Sequence, residues 1–582
     1  MDVVSSRLSK LNPFASSKVK DDEDVGEATD RKTLAGGGHA GRDTATIDQL
    51  RVSPALKSFL VEKSILPEEE AAVVTPDSHS DALRAILHKP HAIVPSELTD
   101  RSHCLPDYFI SSSHNTYLLA HQLYGSSSAE AYEEALQAGA RCVEIDAWDG
   151  DDKDEPKVTH GYTLTSNIPF RTVCETIRNV VDQESTKEID ERGYRAAPIL
   201  ISLENHCGAH GQQRMVDIMH ETLGNRLLSK AVRDKGTDEQ QGTGEHVTLA
   251  ELGSKVAVIV EYHFPGEPES DDDSSDSEDE EAKQSRREYK KKKKDATDAT
   301  VIIPSLADLG IYAQSVKPPN NAWFEKGVLE NSPHHPLINV SETGLMAHLP
   351  HHLTKICDHN SNHLMRVFPK GTRISSANLN PIPFWAAGAQ VCALNWQTFG
   401  ASMQLNEALF TGTDGYVLKP AELRGGPPTA RRKKKLRLHV AGATDIPVPA
   451  DREQDGSDTK PYLTCTLVDP SHSALASDPP KRKTATYKQH KLAGLLRQAQ
   501  DSPSKDPVWD EVLEWEYDDD ELVFLRLLIK SDDSFASNPI FAVNAVRLLY
   551  VQRDEWVFIR MLNLKGQETR CSLLVRFEIV DV

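Results

Sequence analysis

The sequence predicts an α/β barrel in two halves, followed by an antiparallel β-sandwich. Between residue 104 and about residue 423, short β-branched runs alternate with helical stretches, which is typical of a parallel sheet with crossover helices. Eight such runs fit a (β/α)8 barrel, although an open doubly wound sheet has the same periodicity. A charged insertion at 267–294 separates the halves, and after Gly425 the pattern becomes the period-two alternation of a sandwich.

The eight predicted barrel strands are spread over both halves. In chain order they read DYFIS, RCVEIDAW, KVTHG, PILISL, SKVAVIVEY, HLMRVF, AQVCALNW and DGYVLK. We predict the first half over 101–264, the second half over 301–425 and the sandwich over 433–582. Because active sites of parallel barrels are built by the loops after the strands, the residues that follow each run are the first candidates for function.

The chain before the predicted barrel has two segments of different composition. Residues 1–46 are rich in Ser, Asp, Lys and Gly and have few apolar side chains, so we predict a disordered tail. Residues 47–100 space their apolar residues as amphipathic helices do. They predict a short helical segment, similar to an EF-hand remnant, but no D-x-[DN]-x-[DN]-G calcium loop occurs there.

Charge and hydropathy exclude some functions. The 582 residues carry 66 Lys plus Arg and 88 Asp plus Glu, a net charge of −22, which argues against a general nucleic-acid binder. No run of about 18 apolar residues and no signal peptide occurs, and the eight cysteines are scattered as reduced thiols would be. We therefore expect a cytoplasmic protein that reaches membranes only at their surface.

The insertion has two charged blocks within a linker predicted at 265–300. EPESDDDSSDSEDEE holds ten acids, and RREYKKKKK holds seven bases. Blocks of like charge repel themselves and seldom fold, so a solvated, disordered linker is one interpretation. The other is a mobile acidic lid over a cationic or membrane-facing mouth.

Polar residues cluster after the predicted strands of the first half. They are His114 and Asn115 after the first run, the pair Glu144 and Asp146 on the second, His160 after the third and Glu204 on the fourth. Asn115 and the three carboxylates offer oxygen ligands for a hard cation such as Ca²⁺, whereas zinc is a poor candidate. Two histidines beside such a cation suit phosphoryl transfer.

The motifs resemble a known family. FISSSHNTYLL, RCVEIDAWDG, THGYT and ISLENHC resemble the X half of eukaryotic phosphoinositide-specific phospholipase C, and RVFPKGTR, PIPFWAAGAQVCALNWQT and GYVLKPAEL its Y half. The order of X half, acidic linker, Y half and C2-type sandwich is similar too. The resemblance implies a TIM-type (β/α)8 barrel split into X and Y halves, in a delta-like short form of fungal or plant type without a pleckstrin-homology domain.

The resemblance also assigns roles to the residues of the X half. His114 matches the histidine that stabilises the pentavalent phosphate, and His160 the one that protonates the diacylglycerol oxygen and then activates water. The matches to the calcium ligands are Asn115, Glu144, Asp146 and Glu204. Of these, Glu144 and Glu204 are the candidates for removing the proton from the inositol 2-hydroxyl.

The headgroup positions depart from the family pattern. Members of the family carry lysines at the end of the fifth strand. Here the fifth predicted strand has only Lys255, at its start, and Glu261 stands where the family has a cation. Asn339 replaces a phosphate-binding serine, Arg366 matches the family arginine, and Phe368 replaces a tyrosine that stacks on the inositol ring. Because a carboxylate repels a ring phosphate, we expect a weaker preference for phosphatidylinositol 4,5-bisphosphate.

The C2-type sandwich has fewer acidic loop residues than a strong calcium site needs. Asp458, Asp506 and Asp533 are the candidate calcium ligands, while Ser531 and Pro539 stand where aspartates would help. A calcium-independent sandwich that docks on the barrel is the alternative. The basic runs at 431–435 and 481–483 are candidates for contact with anionic lipid or are simply solvated.

These features predict a calcium-dependent enzyme of lipid signalling. It would hydrolyse phosphatidylinositol and its phosphates, for example the 4,5-bisphosphate, to diacylglycerol and inositol phosphate at a membrane surface. One alternative is a weak or inactive phospholipase C-like scaffold that binds phosphoinositides. Another is a glycerophosphodiester hydrolase, which shares the histidines and the ExD pair but lacks the Y-half motifs.

Overall fold

The computed structural model describes most of the chain outside its tail and linker. The described residues are 26–28, 47–71, 79–119, 127–160, 166–189, 193–194, 196–233, 246–262, 302–317, 320–325, 327–329, 334–371, 373, 376–448, 459–471, 479–488, 502–532 and 538–582. Most of the predicted disordered tail and all of the predicted linker at 265–300, including both charged blocks of the insertion, lie outside these residues.

Three α-helices lie in the described part of the segment between the tail and the barrel. They are α1 (Pro54–Glu62), α2 (Glu68–Ala71) and α3 (Asp81–Leu87). Ser53 starts α1 because its hydroxyl accepts a hydrogen bond from the backbone N–H of Leu56, and Pro54 fits the first helical position. The apolar residues of α1 and α3 pack on the sandwich, where Leu56 and Leu83 belong to one cluster with Phe558 and Leu574.

The first half of the barrel alternates strands and helices. Its strands are β1 (Tyr108–Ile110), β2 (Ser113–His114), β3 (Cys142–Trp148), β4 (Lys157–Val158), β5 (Ile168–Pro169), β6 (Ile199–His206) and β7 (Val256–Tyr262). Its helices are α4 (Glu130–Gln137), α5 (Phe170–Ser185), α6 (Ala209–Leu223) and α7 (Leu249–Leu252). The face of α5 that carries Val173, Ile177 and Val181 is buried, as its helical spacing predicts.

The second half continues the same pattern. Its strands are β8 (Gln314–Val316), β9 (Pro336–Ser341), β10 (Met365–Phe368), β11 (Val391–Cys392), β12 (Leu394–Asn395) and β13 (Tyr416–Leu418). Its helices are α8 (Pro304–Ala307), α9 (Glu342–Met346), α10 (Leu353–Asn360), α11 (Ile382–Ala386) and α12 (Ala401–Phe410).

Eight parallel strands close into a barrel. Their order is β1-β11-β10-β9-β8-β7-β6-β3, and a parallel bridge between Ser112 and Cys142 joins the last strand to the first. The predicted split barrel is therefore confirmed, and the open doubly wound sheet is wrong. Side chains alternate across each strand, so Ile145 packs in the core while its neighbours Glu144 and Asp146 share the opposite face.

Two of the predicted barrel strands are corrected by the structure. The runs KVTHG and DGYVLK contain β4 and β13, but both pair antiparallel, with β3 and β1, and add to the barrel from outside its parallel ring. The ring is completed instead by β8 and β9, which were not predicted. β8 has only three residues, and β9 starts at a proline and carries Asn339, so neither shows the apolar run of a buried strand.

The C-terminal part forms the predicted antiparallel C2-type sandwich. Its strands are β14 (Lys433–Thr444), β15 (Pro461–Val468), β16 (Lys481–Lys483), β17 (Val508–Asp518), β18 (Phe524–Ser531), β19 (Ile540–Arg547), β20 (Trp556–Leu562) and β21 (Glu568–Asp581). Two four-stranded layers, β16-β15-β18-β19 and β20-β21-β14-β17, are linked by the pair Val543 and Leu562. Leu436, Leu527 and Val575 are among the residues of the core.

The sandwich packs on α12 of the barrel. Arg526 on β18 donates a hydrogen bond to Gln404 at 2.7 Å, and the hydroxyl of Tyr550 donates to the carbonyl of Leu409 at 3.0 Å. Both hydrogen bonds are buried, and they hold the sandwich in a defined position against the barrel. Within the described part of the chain, no helix has the length and apolar character that crossing a bilayer requires.

Candidate metal and catalytic site

Three carboxylates meet at the carboxyl ends of two neighbouring barrel strands. Glu144 and Asp146 lie on β3, and Glu204 on β6 is the direct register partner of Asp146. Each offers an oxygen atom within 4.8 Å of the others. Glu144 and Asp146 are buried, whereas 46% of the Glu204 side chain is exposed. The cluster therefore has a buried floor and one side open to solvent.

Asp146 is the carboxylate with the strongest need for a cation. Its Oδ1 atom is buried and has no hydrogen-bond partner among the described residues. Burial and the charges of Glu204 and Glu144 raise the pKa of Asp146 well above its usual range. An unsatisfied carboxylate oxygen beside two further carboxylates fits a hard divalent cation such as Ca²⁺, which takes oxygen ligands.

Asn115 and Tyr117 connect the first strand to this cluster. The backbone N–H of Asn115 donates to Glu144 Oε2 at 2.7 Å. The hydroxyl of Tyr117 lies 2.5 Å from Asp146 Oδ2 and 3.1 Å from Asn115 Oδ1. Asn115 has a positive φ of 45°, a conformation that asparagine tolerates better than most residues. The predicted ligand Asn115 is thus placed with its carboxamide oxygen beside the carboxylates.

His114 faces the same cluster. Its Nδ1 atom lies 2.9 Å from Asn395 Oδ1, whose amide nitrogen donates to the carbonyl of Ala377. Because that bond fixes the amide, Asn395 accepts and His114 carries its proton on Nδ1. The Nε2 atom lies 3.8 Å from Glu144 Oε2. The contact at Nδ1 leaves Nε2 facing the site. Burial lowers the pKa of His114, against the opposing charge of Glu144.

Glu204 keeps its negative charge although burial acts against it. Burial alone would raise the pKa of Glu204, but its hydrogen bond with His206 and the charges of His206, Arg366 and His160 lower it to about 2. His160 is therefore close enough to act electrostatically on Glu204. The structure brings the two predicted histidines and the predicted oxygen ligands to one end of the barrel.

Arg366 reaches across the barrel to the carboxylates. It is 4% exposed, and its Nη2 atom lies 2.5 Å from Glu144 Oε1. Its Nη1 atom donates to Asn339 Oδ1 at 3.1 Å, and its guanidinium carbon lies 5.6 Å from the centre of the Phe368 ring. Arg366, Asn339 and Phe368, all predicted to bind substrate, therefore form one group beside the metal ligands.

Lys255 lies away from this group. It precedes β7 and donates to the backbone carbonyl of Asn225, at the amino end of the strand. The site is at the carboxyl ends, where β7 carries Glu261. The structure therefore does not bring Lys255 to the other predicted substrate-binding residues.

The predicted calcium ligands of the sandwich are not brought together in the described residues. Asp458 and Asp533 lie outside them. Asp506 is 1% exposed and pairs with the guanidinium of Arg51, which also lies 2.6 Å from Asp445 Oδ1. Asp506 Oδ1 also accepts a hydrogen bond from the backbone N–H of Asp445 at 2.9 Å. This aspartate is held by the chain's own cation rather than exposed at an open ligand position.

The first basic run is neutralised within the sandwich. Lys433, Lys434 and Lys435 on β14 lie 2.7–2.8 Å from carboxylate oxygens on or just after β17. The second run forms β16 at the sheet edge, where all three residues are exposed. The two runs therefore differ in what they offer to an anionic surface.

Two residues of the site were missed from the sequence. Asn395 orients His114, and Tyr117 bridges Asn115 and Asp146. Both stand in motifs that were recognised, ALNWQT and HNTY, at the ends of strands. Their position after a strand is the signal that would have selected them.

The chain matches two family models in its barrel. "Phosphatidylinositol-specific phospholipase C, X domain" matches residues 101–262, and the corresponding Y domain matches residues 306–422. Both halves of the barrel are therefore recognised, in the order X then Y.

Curated relatives are similar to this chain in sequence, and a solved structure shares its fold. Human "1-phosphatidylinositol 4,5-bisphosphate phosphodiesterase delta-1" is 29% identical over 83% of this chain and 61% of the relative. Mouse "1-phosphatidylinositol 4,5-bisphosphate phosphodiesterase delta-3" is 32% identical over 80% of this chain and 55% of the relative. The structure titled "Crystal Structure of S. officinalis PLC21" has a TM-score of 0.65 at 22% identity, over 94% of this chain and 67% of that one. The chain thus spans about three fifths of the length of delta-1.

Proposed function

We propose that this chain, whose barrel carries the X and Y domains of the phosphatidylinositol-specific phospholipase C family, is a calcium-dependent phosphoinositide phospholipase C. It would hydrolyse phosphatidylinositol and its phosphates to diacylglycerol and inositol phosphate for lipid signalling. One observation carries the proposal: the carboxylates of Glu144, Asp146 and Glu204, among which Asp146 Oδ1 has no partner in the described residues, lie beside two histidines at the carboxyl end of the barrel. The relatives named phosphodiesterases support it.

The first step would be an intramolecular nucleophilic attack within the substrate. The inositol 2-hydroxyl loses its proton to Glu204 or Glu144 and attacks phosphorus, and the bond from phosphorus to the diacylglycerol oxygen breaks. A Ca²⁺ held by Asn115, Glu144, Asp146 and Glu204 would lower the pKa of that hydroxyl, so that a carboxylate suffices as base. His114, once protonated beside the anionic phosphate and held at Nδ1 by Asn395, would donate from Nε2–H to the phosphate oxygens, and His160 would protonate the leaving diacylglycerol oxygen.

The second step would open the cyclic phosphodiester. His160, now without its proton, takes one from water, and the water oxygen attacks phosphorus. The bond to the inositol 2-oxygen breaks, and this oxygen recovers the proton that the carboxylate took in the first step. All protons are accounted for by His160 and one carboxylate, and the product is inositol phosphate.

The headgroup preference would be weaker than a dedicated bisphosphate enzyme requires. Glu261 lies at the carboxyl end of β7, and Lys255 lies at the other end. Arg366 donates hydrogen bonds to Glu144 and Asn339. We therefore propose phosphatidylinositol as a substrate beside its phosphates. The same features favour the second candidate, a weak or inactive scaffold, but the retained histidines and carboxylates favour the enzyme.

The setting of this activity is part of the proposal. The enzyme would act in the cytoplasm and bind membranes peripherally, because its substrates are membrane lipids. The delta-named relatives support a delta-like form. The short fungal or plant type remains a prediction.

Release of soluble inositol phosphate from vesicles tests the proposed function. Purified full chain is assayed on phosphatidylinositol, its 4-phosphate and its 4,5-bisphosphate, with calcium and with a chelator. We expect calcium-dependent release from all three, and a loss of about 10²-fold or more in His114→Ala, since one donor that stabilises the charge of the transition state contributes about that much.

The matched control is His220→Ala. His220 is an exposed histidine on α6, and its loss leaves activity unchanged if the effect belongs to the site. Absence of release in calcium from every vesicle, together with calcium binding, would favour the scaffold. Equal activity of His114→Ala and wild type would contradict the proposed mechanism.

A further inference from the structure

Two aromatic rings stack beside the carboxylate cluster. Trp148 ends β3 and His206 ends β6, and the two residues are the last register pair of this parallel ladder. Their ring centres are 4.0 Å apart and their planes differ by 15°. Both lie two residues beyond a carboxylate, Asp146 or Glu204, and therefore on the same face of the sheet.

His206 also contacts one of the carboxylates. Its Nε2 atom lies 3.0 Å from Glu204 Oε1. A carboxylate only accepts, so the ring nitrogen donates. The stack on Trp148 fixes the plane of the imidazole, and a planar ring held in this way points its N–H along a single direction.

The backbone after His206 is held as well. The N–H of Cys207 donates to Asn205 Oδ1 at 3.0 Å, and the N–H of Gly208 donates to Asp149 Oδ2 at 2.9 Å. Asp149 directly follows Trp148, so the ends of β3 and β6 are tied together twice, by the stacked rings and by this bond. The position of His206 is thereby fixed from both sides.

Each carboxylate of the cluster has a different orienting donor. Glu144 accepts from Arg366 and from the N–H of Asn115, and Asp146 contacts the hydroxyl of Tyr117. Glu204 is the exposed member, and its described hydrogen bond is to His206. A half-exposed glutamate with three rotatable bonds samples many rotamers unless a neighbour selects one.

We propose that His206, oriented by its stack on Trp148, is a positioning residue that holds the Glu204 carboxylate toward Asp146 and Glu144. It touches neither the substrate nor the cation and acts through Glu204. The proposal rests on the proposed function, because the cation that the oriented carboxylates would bind is the calcium of that function. Orienting partners behind metal ligands typically change metal affinity by 10–100-fold when they are removed.

Calcium binding to the full chain tests the proposal without any assay of activity. The dissociation constant is measured by calorimetry, and terbium luminescence excited through tryptophan gives a second reading. We expect His206→Ala to weaken calcium binding by about 10–100-fold. His206→Gln recovers most of it, because a glutamine amide places a donor near the position of Nε2.

The matched control is His210→Ala. His210 makes a bond of the same kind and length, 3.0 Å to Asp154, but both partners are exposed and outside the cluster. We expect wild-type calcium affinity and thermal stability in this variant. At saturating calcium, His206→Ala should recover most of its maximal rate, with the half-activating calcium concentration shifted upward.

The outcomes separate this proposal from the proposed function. Calcium binding that is equal in wild type, His206→Ala and His206→Gln overturns the positioning role and leaves the proposed function standing. Absence of calcium binding in wild type overturns both. If His206→Ala does not fold, His206→Phe decides, because it keeps a ring on Trp148 and removes the donor to Glu204. Calcium binding weakened by about 10–100-fold in this variant supports the positioning role, and wild-type affinity overturns it.

Discussion

Two acidic groups in this molecule each contain a candidate calcium ligand and differ in structure. At the barrel end, one guanidinium, that of Arg366, faces the three carboxylates of Glu144, Asp146 and Glu204. At the loop end of the sandwich, the guanidinium of Arg51 binds both Asp445 and Asp506. The first group keeps an excess of two negative charges, and the second keeps one.

The excess charge has a visible consequence at the barrel. Asp146 has a buried oxygen that accepts no hydrogen bond from the residues that the structure describes, and its pKa is raised by burial and by its acidic neighbours. In the sandwich, Asp506 is buried but satisfied by Arg51 and by the N–H of Asp445. An acidic cluster is thus a candidate metal centre where the fold leaves carboxylates without donors, and a structural contact where it supplies a cation.

Removal of Arg51 should have the largest effect on stability. Arg51→Ala leaves Asp506 buried without its charge partner, and breaking such a pair costs about 3 kcal/mol of unfolding free energy. Urea unfolding of the full chain measures this loss. The double variant Arg51→Ala with Asp506→Asn should recover part of it, because the unpaired charge is then gone.

Arg84→Ala is the control for this variant. Arg84 is 48% exposed and pairs with Asp48 and Asp81 at the surface, so its loss should cost less than about 0.5 kcal/mol. An Arg51→Ala protein as stable as Arg84→Ala would show that the sandwich contact is as weak as a surface pair.

A smaller effect of opposite sign is expected at the barrel in the presence of a chelator. Because the pKa of Asp146 is raised on folding, its ionisation opposes folding as the pH rises through that value. Below the ordinary aspartate pKa the carboxyl is protonated in both states, and the cost disappears. Asp146→Asn should therefore be more stable than wild type by roughly 1–2 kcal/mol at pH 7, with the difference shrinking toward pH 4.

Asp154→Asn is the matched variant for this pH series. Asp154 is 73% exposed, and its change should leave stability constant across the same range. Unfolding curves that show Asp146→Asn less stable than wild type at pH 7 without calcium would mean that the carboxylate is already satisfied in the free protein.

Local sequence patterns predicted most of the fold and the centre of the site. The ExD pair of Glu144 and Asp146 needs only strand periodicity to share a face, and Glu204 needs only the parallel neighbour of that strand. The alternation after Gly425 likewise identified the sandwich. Strand alternation and the ExD spacing are properties of a short stretch of chain, so they can be identified from the sequence without knowledge of the fold.

Contacts between distant segments were not predictable in this way. Arg51 and Asp506 are 455 residues apart, and His114 and Asn395 are 281 residues apart. From the sequence, Asp506 is a candidate calcium ligand and Asn395 belongs to a strand, but neither the contact of Asp506 with Arg51 nor that of Asn395 with His114 is visible there. β8 was missed because three residues, buried on both sides, are too few to show a period.

Calcium titration by calorimetry of wild type, Asp146→Asn and Asp506→Asn tests the central claim most directly. If the cluster at the barrel end is the metal centre, wild type binds calcium, Asp146→Asn loses that binding and Asp506→Asn retains it. Calcium binding that survives Asp146→Asn and is lost in Asp506→Asn would place the cation in the sandwich and contradict the account.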